Sequence, residues 1–225
     1  MTGDSTKRFE PRLDILPAAQ HRLWDELGAT PSHFVLYGGT AIALRLAHRH
    51  SEDYDFFSNE RFEPPRLKER ISYLTGAEIT QSSENTLTCI VDRGGPVQVS
   101  FFGGLKLKRV AEPERARNAV WVASSLDLLA VKLGVLMARG AYKDYCDLDA
   151  LLQSGLNLQQ GLAAARGAYG PEFNPVIAVK ALTFFDEGDL HRLDSASRKR
   201  LIAAAEKANP RLVDAMPAKE GLAPA

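Results

Sequence analysis

The chain has 225 residues, 45% of them hydrophobic, and its 28 basic and 28 acidic side chains leave a formal net charge of zero. That length and apolar content exclude a chain too polar to bury a core, and fit one domain or a compact domain followed by a smaller helical one. The charge balance excludes an overall field drawing in nucleic acid, and no apolar run reaches the roughly 20 residues that span a bilayer.

The opening stretch MTGDSTKRFEPR lacks the apolar segment of a signal peptide, so a cytoplasmic location without membrane contact is expected. Residues 1–12 and 209–225 are rich in Pro, Ala and charge, and are expected to be flexible. Between them, residues 18–27 suit a helix, with Leu23, Trp24 and Leu27 at i, i+1 and i+4 and Gly28 ending it. HFVLY, residues 33–37, is β-prone and stops at Gly38-Gly39, after which residues 40–47 have helical composition. DYDFF at 53–57 reads as the next strand, 65–74 as a helix opened by prolines, and 77–80, 86–91 and 97–102 as further strands. From Ser124 the pattern is helical: a helix capped by Ser124 or Ser125 and running to about 139, then 143–152, 158–169, 175–185 and 197–208. The fold class expected is α+β, a mixed sheet with helices over 13–105 and a helical bundle over 119–208.

Strand alternation places Asp53 and Asp55 on one face, about 7 Å apart, while Tyr54 and Phe56 turn to the other. Two carboxylates on one face repel each other, and a divalent cation relieves this; Mg²⁺ favours one or two carboxylates plus phosphate oxygens. Asp-x-Asp is also common in surface loops, so the weight lies in its setting, an aromatic strand fifteen residues downstream of a Gly-Gly turn. Gly38-Gly39-Thr40 follows a strand and opens a helix, where bare backbone and free N–H groups can meet a triphosphate and Thr40 adds a hydroxyl; a plain tight turn reads the same way. Lys132 emerges from an apolar stripe made by Leu128, Leu129, Leu133 and Leu136, so it must snorkel or find an anion. Removal of this partly buried lysine is expected to relieve a desolvation cost, so that stability holds or rises. Asp144 and Asp147 share a helix face, with Lys143 within reach of Asp147. Basic residues cluster at Arg61, Arg66, Lys68 and Arg70, and at Lys106, Lys108, Arg109, Arg115 and Arg117; each cluster is either a phosphate contact or a solvated face.

The stretch FVLYGGTAIALRLAHRHSEDYDFFS, residues 34–58, resembles the AbiEii/AbiGii group of bacterial nucleotidyltransferase-like toxins. His48, Arg49, Ser51, Asp53, Asp55, Phe56 and Phe57 match the group's signature in order, and Ala47 stands where a glycine is usual. SLDLLAVKLGVLMARGAYKDYCDLDALL, residues 125–152, is similar to the group's helical Lys motif and the Asp motif after it. The resemblance implies a nucleotidyltransferase-like core and a nucleoside triphosphate with Mg²⁺ or Mn²⁺ on Asp53 and Asp55. It further implies that Gly38, Gly39, Thr40, Arg49, Ser51 and Lys132 bind nucleotide, and that Asp53, Asp55, Lys132 and Asp147 are catalytic. RNA, plausibly the 3′ end of tRNA, is the acceptor it suggests, with a separately encoded antitoxin as partner. One departure stands out: PVQVSFF carries Ser100 where many nucleotidyltransferases have a third carboxylate. A binding module with weak or absent transfer, or transfer to protein, is the alternative this leaves.

Overall fold

A computed structural model of the chain describes residues 8–224. Among them, one compact unit holds residues 8–107, 112–124 and 221–224, and the second holds 108–111 and 125–220. The first unit is built on a mixed eight-stranded sheet: β1 (Arg8–Phe9), β2 (Val35–Tyr37), β3 (Asp53–Phe57), β4 (Glu78–Ser83), β5 (Thr86–Asp92), β6 (Pro96–Phe102), β7 (Glu114–Ala116) and β8 (Trp121–Val122). The strands lie in the order β1-β7-β8-β2-β3-β6-β5-β4, with β3 antiparallel to β2 and parallel to β6. Its helices are α1 (Ala18–Trp24), α2 (Gly38–Leu46) and α3 (Pro64–Arg70).

Alternation decides where the core sits. Tyr54, Phe56, Leu87, Val99 and Phe101 are fully buried on one face, and the Phe56 and Phe101 rings stack with centroids 5.4 Å apart. Asp53, Asp55 and Phe57, one residue out of phase, are only half-buried.

The second unit is helical: α4 (Ser125–Leu136), α5 (Tyr142–Gln153), α6 (Leu158–Tyr169), α7 (Pro175–Leu182) and α8 (Ser195–Lys207). Asn157, Asn174 and Asp194 cap the last three, each side chain accepting from backbone N–H groups of the first turn. Residues 108–111 join this unit because the buried Asp127 carboxylate accepts from the Val110 and Ala111 N–H groups.

Several expectations need correction. Residues 114–122 carry β7 and β8, which add to the sheet, where the expected bounds ended the sheet part at 105 and began the helical bundle at 119; strands of two or three residues are too short to show a period of two. The ends are also more structured than their composition implied. Arg8–Phe9 pairs with β7, Leu222 is buried with its N–H held by Asn59 Oδ1 at 2.6 Å, and Val213 is buried in the second unit. Residues 1–7 lie outside the described residues. Cys89 is buried and burial pushes its thiol pKa up, whereas Cys146 is only half-buried.

Ala47 closes α2 in the left-handed conformation, at φ +50°. That backbone suits glycine, the residue expected there, and costs other residues about 1–2 kcal/mol. Ala47→Gly should therefore raise unfolding free energy by about 0.5–1 kcal/mol in denaturant titration, the strain relief less the extra chain entropy of glycine.

Candidate active site

The candidate site of the first unit lies at the end of β2. The strand stops at Tyr37, and Gly38 turns at φ +75° directly into α2. The Tyr37 side chain makes no capping hydrogen bond to that helix, whose first-turn N–H groups form its positive end. The absence of side chains at 38 and 39 is used fully. A Cβ on Gly38 would sit 2.5 Å from Asp55 Oδ2, and one on Gly39 would strike the Arg49 guanidinium and lie 2.9 Å from Ser51 Oγ. Tyr37 and Asp55 are register partners, which explains how the carboxylate reaches the turn. Arg49 and Ser51 arrive on the loop from α2 to β3, pinned where the His50 ring nitrogen Nδ1 meets the Ile15 carbonyl at 2.8 Å and Arg49 Nη1 donates to the His50 carbonyl. Gly38, Gly39, Arg49, Ser51 and Asp55 are thus brought together, with Asp53 on the same strand face.

Thr40 is placed differently from its expected role. It is 1% exposed, and its hydroxyl donates to the Asp53 backbone carbonyl at 2.5 Å. It ties α2 to β3 and does not face a ligand.

The donor set fits one divalent cation. Asp53 and Asp55 supply two half-buried carboxylates, and the residue in register beside Asp55 on β6 is Ser100, 2% exposed and accepting from the Thr88 hydroxyl. Among the described residues no group of three or more His, Cys, Asp or Glu side chains is arranged to hold a metal. Two carboxylates leave most positions of an octahedral ion for phosphate oxygens and water, the ligation Mg²⁺ favours.

The second unit contains a separate ionic cluster. Lys132, 8% exposed on α4, donates to Asp144 Oδ1 and to Asp147 Oδ2 on α5, each at 2.7 Å. Asp144 also takes Arg139 Nε at 3.3 Å, and Asp147 is fully buried. The anion Lys132 was expected to need is therefore a pair of carboxylates from its own unit, and Lys143 is not the partner of Asp147. Periodicity exposes the misfit of a lysine in an apolar stripe but not which helix answers it. Nor does complete burial suit Asp147 to take a proton from an acceptor hydroxyl; its contact makes it a support for Lys132.

Neither basic cluster is a bare cationic surface. Arg66 pairs with Glu63 at 2.8 Å, Arg61 approaches Glu84 at 3.9 Å, Lys108 meets Glu220 at 2.5 Å, and Arg115 lies over the Trp121 ring. Arg109 is buried, donating to the Glu220 carbonyl. Arg70, Lys106 and Arg117 remain exposed.

Residues 22–219 match the family model described as "Nucleotidyl transferase AbiEii toxin, Type IV TA system". The chain belongs to this family. It is a nucleotidyltransferase of AbiEii type, as the resemblance of residues 34–58 and 125–152 implied. It is 28% identical over 159 residues to an uncharacterized protein of Aquifex aeolicus (strain VF5), which covers 68% of this chain and 74% of that one. Among solved structures, MenT4, a nucleotidyltransferase toxin from Mycobacterium tuberculosis H37Rv, superposes with a TM-score of 0.53 at 14% identity over 84% of this chain and 83% of that one. The second likeness is one of fold, and it agrees with the mixed sheet and helices seen here.

Two outcomes test this geometry. Gly38→Ala adds a Cβ against the Asp55 carboxylate and forces a positive φ costing about 1–2 kcal/mol; thermal melts should show a folded protein whose response to Mg²⁺ with nucleoside triphosphate is lost. Lys132→Met strands two buried carboxylates and should lower unfolding free energy by about 3–5 kcal/mol in denaturant titration, the reverse of what the apolar stripe alone suggests. Adding Asp144→Asn and Asp147→Leu should recover part of that loss.

Proposed function

We propose that this AbiEii-family chain transfers a nucleoside monophosphate from a Mg²⁺-bound nucleoside triphosphate to a hydroxyl of RNA, with the 3′ end of tRNA as the favoured acceptor. The observation that carries the reading is the close approach of Asp55, Arg49 and Ser51 to the bare backbone of Gly38 and Gly39 at the open end of α2. Asp53 and Asp55 would hold the ion, Mg²⁺ or Mn²⁺, which would supply positive charge to offset that of the phosphate oxygens.

The chain's own residues supply position and electrostatics. The α2 N-terminus and the Gly38-Gly39 backbone offer N–H groups to phosphate oxygens, and no side chain holds the nucleotide off. Arg49 adds a fixed positive charge and Ser51 a hydroxyl donor. In the second unit, Lys132 gives two of its three N–H donors to Asp144 and Asp147, which leaves one for an anion. Asp147 orients that lysine. In the reaction the acceptor oxygen bonds to the α-phosphorus, the bond to the bridging α,β-oxygen breaks, pyrophosphate leaves with the pair of electrons, and the hydroxyl proton passes to water.

The family name carries the idea of a separately encoded antitoxin, and we propose such a protein as the partner restraining this enzyme in the cytoplasm. Among the described residues no helix is long and apolar enough to cross a membrane.

Incubation with total tRNA, Mg²⁺ and each α-labelled nucleoside triphosphate in turn should label RNA with one nucleotide. Label should fall as salt rises, because the acceptor is a polyanion. Asp53→Ala with Asp55→Ala should abolish it. Label on protein and not on RNA would replace the acceptor with a polypeptide, and nucleotide binding with no label anywhere would leave a binding module.

A further inference from the structure

The strand that carries the paired aspartates loses its neighbour at the residue that matters most. β3 pairs with β2 through Val35↔Phe57, Leu36↔Phe56 and Tyr37↔Asp55. An antiparallel ladder would next set Asp53 against residue 39, but the chain has by then turned into α2. On its other side Asp53 keeps a register partner, Gln98 of β6. Its carbonyl, left without a strand on the β2 side, is taken by the hydroxyl of Thr40 at 2.5 Å.

That hydroxyl is fixed in turn. A threonine has one O–H, and since it is given to Asp53, the oxygen can only accept from Gln20 Nε2, which lies 3.4 Å away. This sets the orientation of the Gln20 amide and leaves its Oε1 buried without a partner. The backbone carbonyl of the same Gln20 accepts from the Tyr54 phenol at 3.0 Å. Burial raises the Tyr54 pKa far above its ordinary value and keeps the phenol a donor. Two consecutive residues of β3 are therefore anchored to α1 and α2 by side-chain hydrogen bonds where the backbone ladder has run out.

We propose that Thr40 is a positioning residue for Asp53: its hydroxyl replaces the missing strand partner and sets the affinity of the paired aspartates for a divalent cation. The inference rests on the reading that Asp53 and Asp55 hold that cation. Outer-shell partners of metal ligands typically change affinity 10–100-fold when removed, because ligand geometry is held by the groups behind it.

Mg²⁺ is titrated against wild-type protein and variants at a fixed concentration of whichever of the four nucleoside triphosphates shifts the wild-type melting temperature most. Thr40→Val keeps the shape and loses the O–H; it should need roughly 10–100-fold more Mg²⁺ for a half-maximal shift, with turnover returning toward wild type at saturating Mg²⁺. Thr40→Ser restores the hydroxyl and should titrate like wild type. Ile42→Val, a core change on the same helix, should lower the melting temperature with the Mg²⁺ midpoint unchanged. If Thr40→Val does not fold, Thr40→Ala reads the same loss. A hydroxyl-deleted variant that titrates like wild type overturns the proposal, as does an equal shift in Ile42→Val. A wild-type protein indifferent to Mg²⁺ would instead overturn the reading of Asp53 and Asp55.

Discussion

The first unit depends on backbone approaching charge. At the end of β2 the chain must turn into a helix in one step, and the turn must leave room for a carboxylate, a guanidinium and a hydroxyl that press on it from β3 and the loop before it. Only residues without Cβ meet both demands, and Gly38 meets the further one of a positive φ. Everything nearby follows from that constraint. β2 stays short because α2 begins at once, the ladder to β3 ends at Asp55, and Thr40 must close the backbone bond that the sheet leaves open. The N-terminus of α2 and the Asp55 carboxylate then stand side by side.

The second unit answers a different electrostatic problem. A lysine inside an apolar helix face is costly unless its charge is met, and here it meets two buried carboxylates from the next helix. Such a cluster adds little net stability but penalises any packing that separates its members, so α4 and α5 are held in one register. Arg139 balances the second negative charge from the more exposed side. A lysine held this way has its direction fixed by carboxylates of its own unit.

Most of this was legible in the sequence where a local pattern is strong. Strand β3 was found at its full extent because DYDFF alternates cleanly and is aromatic, and α6 because its apolar period runs between clear boundaries. The strands β7 and β8 were missed because two or three residues carry no period, and the buried Leu222 and Val213 because isolated apolar residues among Pro, Ala and charge have no pattern to declare. Among candidate site residues, Asp53 and Asp55 stood out by their setting on an aromatic strand after a Gly-Gly turn, and Arg49 and Ser51 by resemblance. Thr40 was recognised but given the wrong direction: sequence marks a hydroxyl at a helix start without saying that the neighbouring strand lacks a partner there. The partners of Lys132 needed the packing of two helices, which periodicity cannot register.

With Ser100 beside Asp55 the carboxylates number two, and the account rests on one cation completed by phosphate oxygens. The direct measurement is an anomalous-diffraction map from crystals grown with Mn²⁺ and a nucleoside triphosphate analogue that cannot transfer. The account predicts a single strong peak bonded to the carboxylates of both Asp53 and Asp55 and to phosphate oxygens, with the triphosphate against Gly38 and Gly39. A peak elsewhere with these carboxylates unligated, or a second ion of equal strength beside Ser100, would contradict it.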